Sequence, residues 1–204
     1  MEKVLFITAH DDDAVLMASH FFGNKYKKYL VPLTYSDVTG GSISECKYSY
    51  SEIENLSFIE IENNKISDMN IFYSKSICLK IMNIIKRVKP DYIITNSPED
   101  IHNDHRETYK IVEQSLFHLR TWGGGESSLK LLYGEIFTPL IKPSFILPAN
   151  ITLKKNIMSK FISQNSQFNW LELVETLNRF RSLQFSKDYS FGEAFTICYE
   201  NGNL

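Results

Sequence analysis

The sequence predicts an α/β fold built on a mostly parallel sheet. Three observations predict it. Short, continuous apolar runs such as Val4–Thr8 and Tyr92–Thr95 have the length and composition of strands covered on both faces. Stretches with apolar residues at helical spacing alternate with them. Polar clusters follow the first and the fourth predicted strand, where ligands bind in open parallel sheets.

Val4–Thr8 is the first strand, and Ala14–Tyr29 reads as the helix after it. Leu30–Ser36 (LVPLTYS) is a second strand with Pro32 near its start. Asp37–Ser44 (DVTGGSIS) is a loop by composition. Tyr48–Asn63 has helical spacing of Ile53, Leu56 and Ile61, and Asn70–Tyr73 is a candidate third strand. Ile77–Val88 is amphipathic and helical, and Pro90 ends it. Tyr92–Thr95 is the fourth strand, Asn96–Asn103 a loop and Asp104–Leu119 a helix. After Trp122-Gly123-Gly124-Gly125, read as a flexible turn, the rhythm changes. Lys130–Phe137 reads as a strand, and Thr138–Pro148, with three prolines, as a loop or lid. Leu153–Gln164 and Trp170–Leu183 read as helices, and Ala194–Tyr199 as a closing strand.

A chain of 204 residues fits one domain, residues 1–204, and 43% apolar residues suffice for a core without a disulfide or zinc staple. Twenty-two basic against 24 acidic residues, a net charge of −2, argue against a nucleic-acid partner held by bulk positive charge. Three widely spaced cysteines, with no CxxC, point to a reducing compartment. No apolar stretch of about 18 residues is present to span a membrane. A cytoplasmic protein is expected, with homo-oligomerisation left open.

Two clusters carry chemistry. In Ala9-His10-Asp11-Asp12-Asp13-Ala14 an imidazole and three carboxylates follow a buried strand. Carboxylates so close together raise one another's pKa unless a positive charge is present, and a divalent metal is a natural one. The plain alternative is an acidic helix N-terminus, which accounts for one or two Asp residues but not for His10. The second cluster, Ser97-Pro98-Glu99-Asp100-Ile101-His102-Asn103-Asp104-His105, enters a helix with two histidines. Its plain reading is a capped helix with solvated histidines. His10, Asp13 and His105 together make a two-histidine, one-carboxylate set that suits catalytic zinc or a related divalent ion, with room left for water and substrate.

AHDDDAVL resembles the AHPDDEVL signature of the PIG-L/LmbE-like deacetylases, and IHNDH resembles their HPDH signature. The likeness continues in order at Tyr35-Ser36-Asp37-Val38-Thr39-Gly40, at Ser163-Gln164 and at Gly192-Glu193-Ala194-Phe195. The resemblance implies a Rossmann-like, three-layer α/β/α fold and zinc-dependent removal of an N-acetyl group from a small-molecule amino sugar of the N-acetylglucosamine type. It implies His10, Asp13 and His105 as metal ligands and Asp12 as the general base that activates water. It implies His102 as the group assisting the oxyanion or leaving amine, and Asp104 as the supporting acid between the two histidines.

The chain also departs from that pattern. The motif proline is Asp11, expected to face solvent, the other reading being a charge that disfavours an anionic aglycone; the glutamate is Ala14; and a glycine pair is Ser19-His20. The arginine after the third motif has no clear match, Lys47 being the nearest cation. His20 and His118 read as structural or exposed. The loops Asp37–Ser44 and Thr138–Pro148 are expected to line the pocket. Competing readings are a haloacid-dehalogenase-like phosphatase with Asp11 as nucleophile, a nucleotide-binding module, and a catalytically impaired relative that only binds.

Overall fold

The computed structural model describes residues 1–61, 66–122, 129–166, 168–185 and 188–200. Its strands, in chain order, are β1 (Glu2–Thr8), β2 (Tyr26–Pro32), β3 (Leu56–Phe58), β4 (Tyr92–Asn96), β5 (Lys130–Gly134), β6 (Phe145–Pro148) and β7 (Gly192–Glu200). They form one sheet in the order β3-β2-β1-β4-β5-β7-β6. The first five are mutually parallel, and β7 runs antiparallel between β5 and β6. The helices are α1 (Asp13–Ala18), α2 (Ile43–Ser49), α3 (Lys75–Val88), α4 (Asn103–Thr121), α5 (Ile151–Met158), α6 (Ile162–Asn165) and α7 (Trp170–Gln184).

Strand periodicity sorts the central strand's side chains into two cores. Val4 and Phe6 of β1 pack with α1, α5 and α7 residues such as Leu16, Ile157 and Val174. Leu5 and Ile7 pack on the other face with Ile81 and Ile85 of α3 and Ile111 and Val112 of α4. The result is the expected three-layer α/β/α arrangement around a mostly parallel sheet. β1 lies between β2 and β4, so the chain runs outward through β2 and β3 before crossing back to β4. That reversal opens a crevice at the carboxyl ends of β1 and β4.

Several elements differ from the sequence reading. The helix expected over Ala14–Tyr29 stops at Ala18 and continues only as a 3-10 turn, Ser19–Phe22. Glu193 of β7 accepts the backbone N–H groups of Ser19 (2.6 Å) and His20 (2.9 Å), a long-range capture that replaces continued helical bonding. β2 therefore begins at Tyr26, and its fully buried Lys28 donates to the carbonyls of Phe22 (3.1 Å) and Gly23 (3.2 Å). The stretch Tyr48–Asn63, read as a helix, holds the end of α2 and the edge strand β3; residues 62 and 63 lie outside the described residues. Ser42 fixes the start of α2 by accepting the Glu45 N–H, inside a segment read as loop. Asn70–Tyr73 is irregular, and part of the presumed lid, Phe145–Pro148, pairs with β7 as β6. The Trp122–Gly125 turn is described only at Trp122, which stacks on His118 with ring centroids 4.7 Å apart; the glycines lie outside the described residues. Cys46, Cys78 and Cys198 are unpaired. Among the described residues no helix is long and apolar enough to cross a membrane.

Candidate metal centre and active site

The site is assembled at the crevice from the loop after β1 and the start of α4 after β4. Chain direction forces the meeting: both strands end at the same edge, and each is followed by a polar turn into a helix. His10 Nδ1 lies 3.3 Å from His105 Nε2, His105 Nε2 lies 3.3 Å from Asp13 Oδ1, and His10 Nδ1 lies 3.6 Å from Asp13 Oδ2. Tetrahedral bonds of about 2.0–2.1 Å to a zinc ion set neighbouring donors roughly 3.3 Å apart, so the spacing and chemistry of these three donors fit a divalent ion. His10, His102 and Asp104 make a second donor group of similar compactness.

Other side chains hold the donors. Asp13 Oδ2 accepts the His10 N–H and the Asn96 Nδ2–H, both at 2.9 Å, while Asn96 Oδ1 accepts the Ala9 N–H at 2.8 Å. Asn96, the last residue of β4, thus ties the two strand ends together. Asp104 Oδ2 sits 3.4 Å from His10 Nε2 and accepts the Met69 N–H at 2.7 Å. Asp100 Oδ2 sits 3.2 Å from His105 Nδ1. His10 and His105 therefore each have a carboxylate behind the nitrogen that faces away from the donor cluster, an arrangement that fixes ring orientation and raises basicity. Asp104, the acid between His102 and His105 in sequence, backs His10. Asp100 and Asn96, to which the motif reading gave no role, complete the support; Asp100 lies inside the second cluster and Asn96 directly before it, and that position was the available signal.

Charge in the cluster is divided sharply. Burial works to lower the His10 and His105 pKa values, but Asp13 with Asp104 holds His10 well above the ordinary value, and Asp13 with Asp100 holds His105 at about 9. Burial opposes ionisation of Asp13, yet His105 and His10 keep it well below the carboxylate range. Asp12 is pushed up to about 7 by burial and by the Asp13 charge. It stands at the N-terminus of α1 without a side-chain capping bond, so the plain helix-cap reading does not account for it. His102 likewise precedes α4 without capping it, and stacks on Phe137 at 5.8 Å. Burial, then the neighbouring His105 and His10, lower its pKa.

These groups open into a cavity of about 340 Å³. His10, Asp12, Asp13 and His102 line it, together with Ser36, Thr39, Asp68 and Gln164. The first expected loop contributes Val38 and Thr39, but none of Thr138–Pro148 lines the cavity; its place is taken by Ile136, Phe137 and Trp170. That segment is instead drawn to the sheet edge by β6 pairing. Gln164 reaches Thr39 Oγ1 at 2.8 Å, and Ser163 bonds Glu45, so the late motif braces the loop after β2.

Asp11 corrects an expectation. It is fully buried, not solvent-facing; Ser36 Oγ donates to its Oδ1 at 2.7 Å, and Oδ2 is buried without a partner. Burial and the Asp12 charge push its pKa up to about 8. Asp11 is not among the cavity-lining residues, a poor position for a phosphatase nucleophile. Lys47 pairs with Glu60 at 2.8 Å and does not line the cavity either. His20 faces the Pro148 carbonyl at 3.2 Å, away from the cluster.

Fold and site together define an α/β protein with a candidate metal centre at the switch point of its sheet. A family model described as PIG-L, GlcNAc-PI de-N-acetylase, matches residues 5–116, more than half the chain, and the protein belongs to that family. The family places it among deacetylases and hence hydrolases. No curated protein sequence matches the chain. Solved structures share its fold at low identity. The N,N'-diacetylchitobiose deacetylase from Pyrococcus horikoshii has a TM-score of 0.72 and 18% identity, over 96% of this chain and 83% of that one. The zinc-inhibited form of teicoplanin deacetylase Orf2 has a TM-score of 0.73 and 12% identity, over 99% and 100%. GalB, the 4-carboxy-2-hydroxymuconate hydratase from Pseudomonas putida KT2440, has a TM-score of 0.77 and 14% identity, over 100% and 99%.

Proposed function

We propose that the protein hydrolyses the N-acetyl amide of an N-acetylglucosamine-type sugar or conjugate, with a divalent metal, zinc first among candidates, held by His10, Asp13 and His105. One observation carries this reading: His10, Asp13 and His105 bring nitrogen and carboxylate oxygen atoms within 3.3–3.6 Å of one another beside Asp12, which makes no side-chain capping bond, at a cavity that His10, Asp12, Asp13 and His102 line. A bound divalent ion supplies a Lewis acid for the acetyl carbonyl and strengthens water as a nucleophile. Asp12 takes the proton of the attacking water, and a pKa near 7 suits that task at neutral pH. His102 stabilises the oxyanion or, when protonated, hands a proton to the departing amine nitrogen as the C–N bond breaks. Asp104 and Asp100 hold His10 and His105 in register. The products are acetate and a free amino sugar.

The hydratase neighbour warns that the fold alone does not select a reaction. Its named substrate carries carboxylates, whereas among the described residues no Lys or Arg lines this cavity to receive them. The test is acetate release against phosphate release over a panel of N-acetylated amino sugars and phosphate esters with zinc present. Acetate release abolished by His105→Ala is expected. Phosphate release alone, lost in Asp11→Ala but kept in His105→Ala, overturns the reading; binding without any turnover makes the protein a non-catalytic relative.

A further inference from the structure

From the cavity mouth we infer that the substrate is an uncharged amino sugar carrying an apolar aglycone, an aryl group or similar, which rests on Met69, Val38 and Trp170. This deepens the deacetylase reading and rests on it.

The cavity divides by chemistry. Carboxylates and imidazoles gather at the donor cluster, while Leu16, Val38, Met69, Ile136, Phe137 and Trp170 supply the apolar part of the lining. Two of these are costly to place where they are. Met69 is 74% exposed and Val38 63% exposed, apolar surface left in water beside a binding cavity. Met69 also has φ +64°, a left-handed conformation that costs a non-glycine residue on the order of 1 kcal/mol. The turn that holds it is fastened from several sides. The Met69 N–H goes to Asp104, the Asp68 N–H to Asp37 at 2.8 Å, and Thr34 and Ser67 donate to Asp68 and Asp37. The fold thus over-determines a strained, water-exposed methionine, tied to Asp104, the residue behind His10. Stability does not ask for that residue; an apolar ligand group does.

Trp170 adds a large flat surface from the far end of the chain. It meets Phe137 edge-on at 4.9 Å and Phe168 at 4.7 Å, and Phe168 is itself 50% exposed. Aromatic faces of this kind accept aryl groups by stacking and the C–H faces of sugars by contact. Size points the same way. About 340 Å³ is near the lower end for ligand cavities, so a group attached to the sugar lies at the mouth, on Met69, Val38 and Trp170, rather than deeper inside. Charge points the same way. Asp12, Asp13 and Asp68 line the cavity, and among the described residues no Lys or Arg does, so a phosphate on the aglycone side meets carboxylates and no cationic side chain of the described lining.

The test is ligand binding by the full chain carrying Asp12→Asn, which stops turnover, and Trp122→Phe, which leaves Trp170 as the one tryptophan reporter. The probes are N-acetylglucosamine, both anomers of its phenyl glycoside and N-acetylglucosamine 1-phosphate, with zinc present. One phenyl glycoside is expected to quench fluorescence and to bind about tenfold or more tighter than the free sugar, with the 1-phosphate weakest. Met69→Ser, and Trp170→Leu followed by calorimetry, should collapse that preference. Equal binding of phenyl glycoside and free sugar, no binding of either anomer, or tighter binding of the 1-phosphate overturns the inference. So does a preference that both substitutions leave intact. Acetate release by the wild-type protein separates the two readings. Selective binding of the phenyl glycoside without acetate release removes the deacetylase and keeps the subsite. Equal release from all four sugars keeps the deacetylase and removes the subsite.

Discussion

The stretch from β1 through α4 and the stretch from β5 through β7 do different work on one sheet. The first is parallel and carries both motifs; His10 and Asp13 lie three residues apart after β1, His105 stands in α4 after β4, and each cluster sits directly after a strand. The second closes the sheet with an antiparallel strand and carries no donor of the cluster. It contributes walls, through Ile136, Phe137, Gln164 and Trp170, and buried polar fastenings. Glu193 holds Ser19, His20 and Lys154, and Arg181 donates to Glu135 at 2.6 and 2.8 Å with both side chains almost wholly buried. Each reaction motif here is local in sequence and the two meet across β1 and β4, whereas cavity walls and anchoring of the motif helix draw on residues more than a hundred positions away.

The comparison can be broken at its strongest point first. His105→Ala should abolish acetate release and strip the metal while leaving the far-ultraviolet circular dichroism near wild type; full metal occupancy by elemental analysis in this variant removes His105 from the ligand set. Asp12→Asn comes next. It should keep metal and fold but lose on the order of 10²–10⁴ in turnover, because an amide cannot take the proton of water, and His102→Ala should lose about 10²–10³. Near-normal rates in Asp12→Asn would assign the base elsewhere.

A sharper cut compares the two supporting acids. Asp100→Asn and Asp104→Asn should each weaken metal affinity by roughly 10–100-fold, read by competition with a chromophoric chelator, since each backs one histidine. An effect in Asp104→Asn alone would restore the sequence reading, in which Asp100 had no part. The smallest effect on catalysis is expected in the other stretch. Arg181→Met leaves Glu135 buried and unpaired and should cost about 3–5 kcal/mol in chemical denaturation, while kcat/KM per folded molecule stays at the wild-type level. A large loss of kcat/KM without loss of stability contradicts the division of labour.

Legibility followed the range of the interactions. β1, β4, α3 and α4 were readable because their signals are local: apolar runs of strand length, a helical stripe, and Pro90 after α3. The proximity of His10, Asp13 and His105 was readable because two parallel strands that end at one edge bring their following turns together. The short α1, the early start of β2 and the edge strand β3 were not, because Glu193, the carbonyl partners of Lys28 and the pairing of β3 with β2 come from outside each segment. Asp11 shows the same limit within the motif, since only Ser36, 25 residues on, explains why a carboxyl is buried there.

The sequence by itself determined the fold class, the family and the donor types, because periodicity and motif spacing are properties of neighbouring residues. Tertiary structure alone decided which carboxylate backs which histidine, that Thr138–Pro148 leaves the cavity for the sheet edge, and that Met69 and Trp170 line it. Those outcomes depend on distances between segments far apart in the chain, and such distances exist only once the two cores have packed against the sheet.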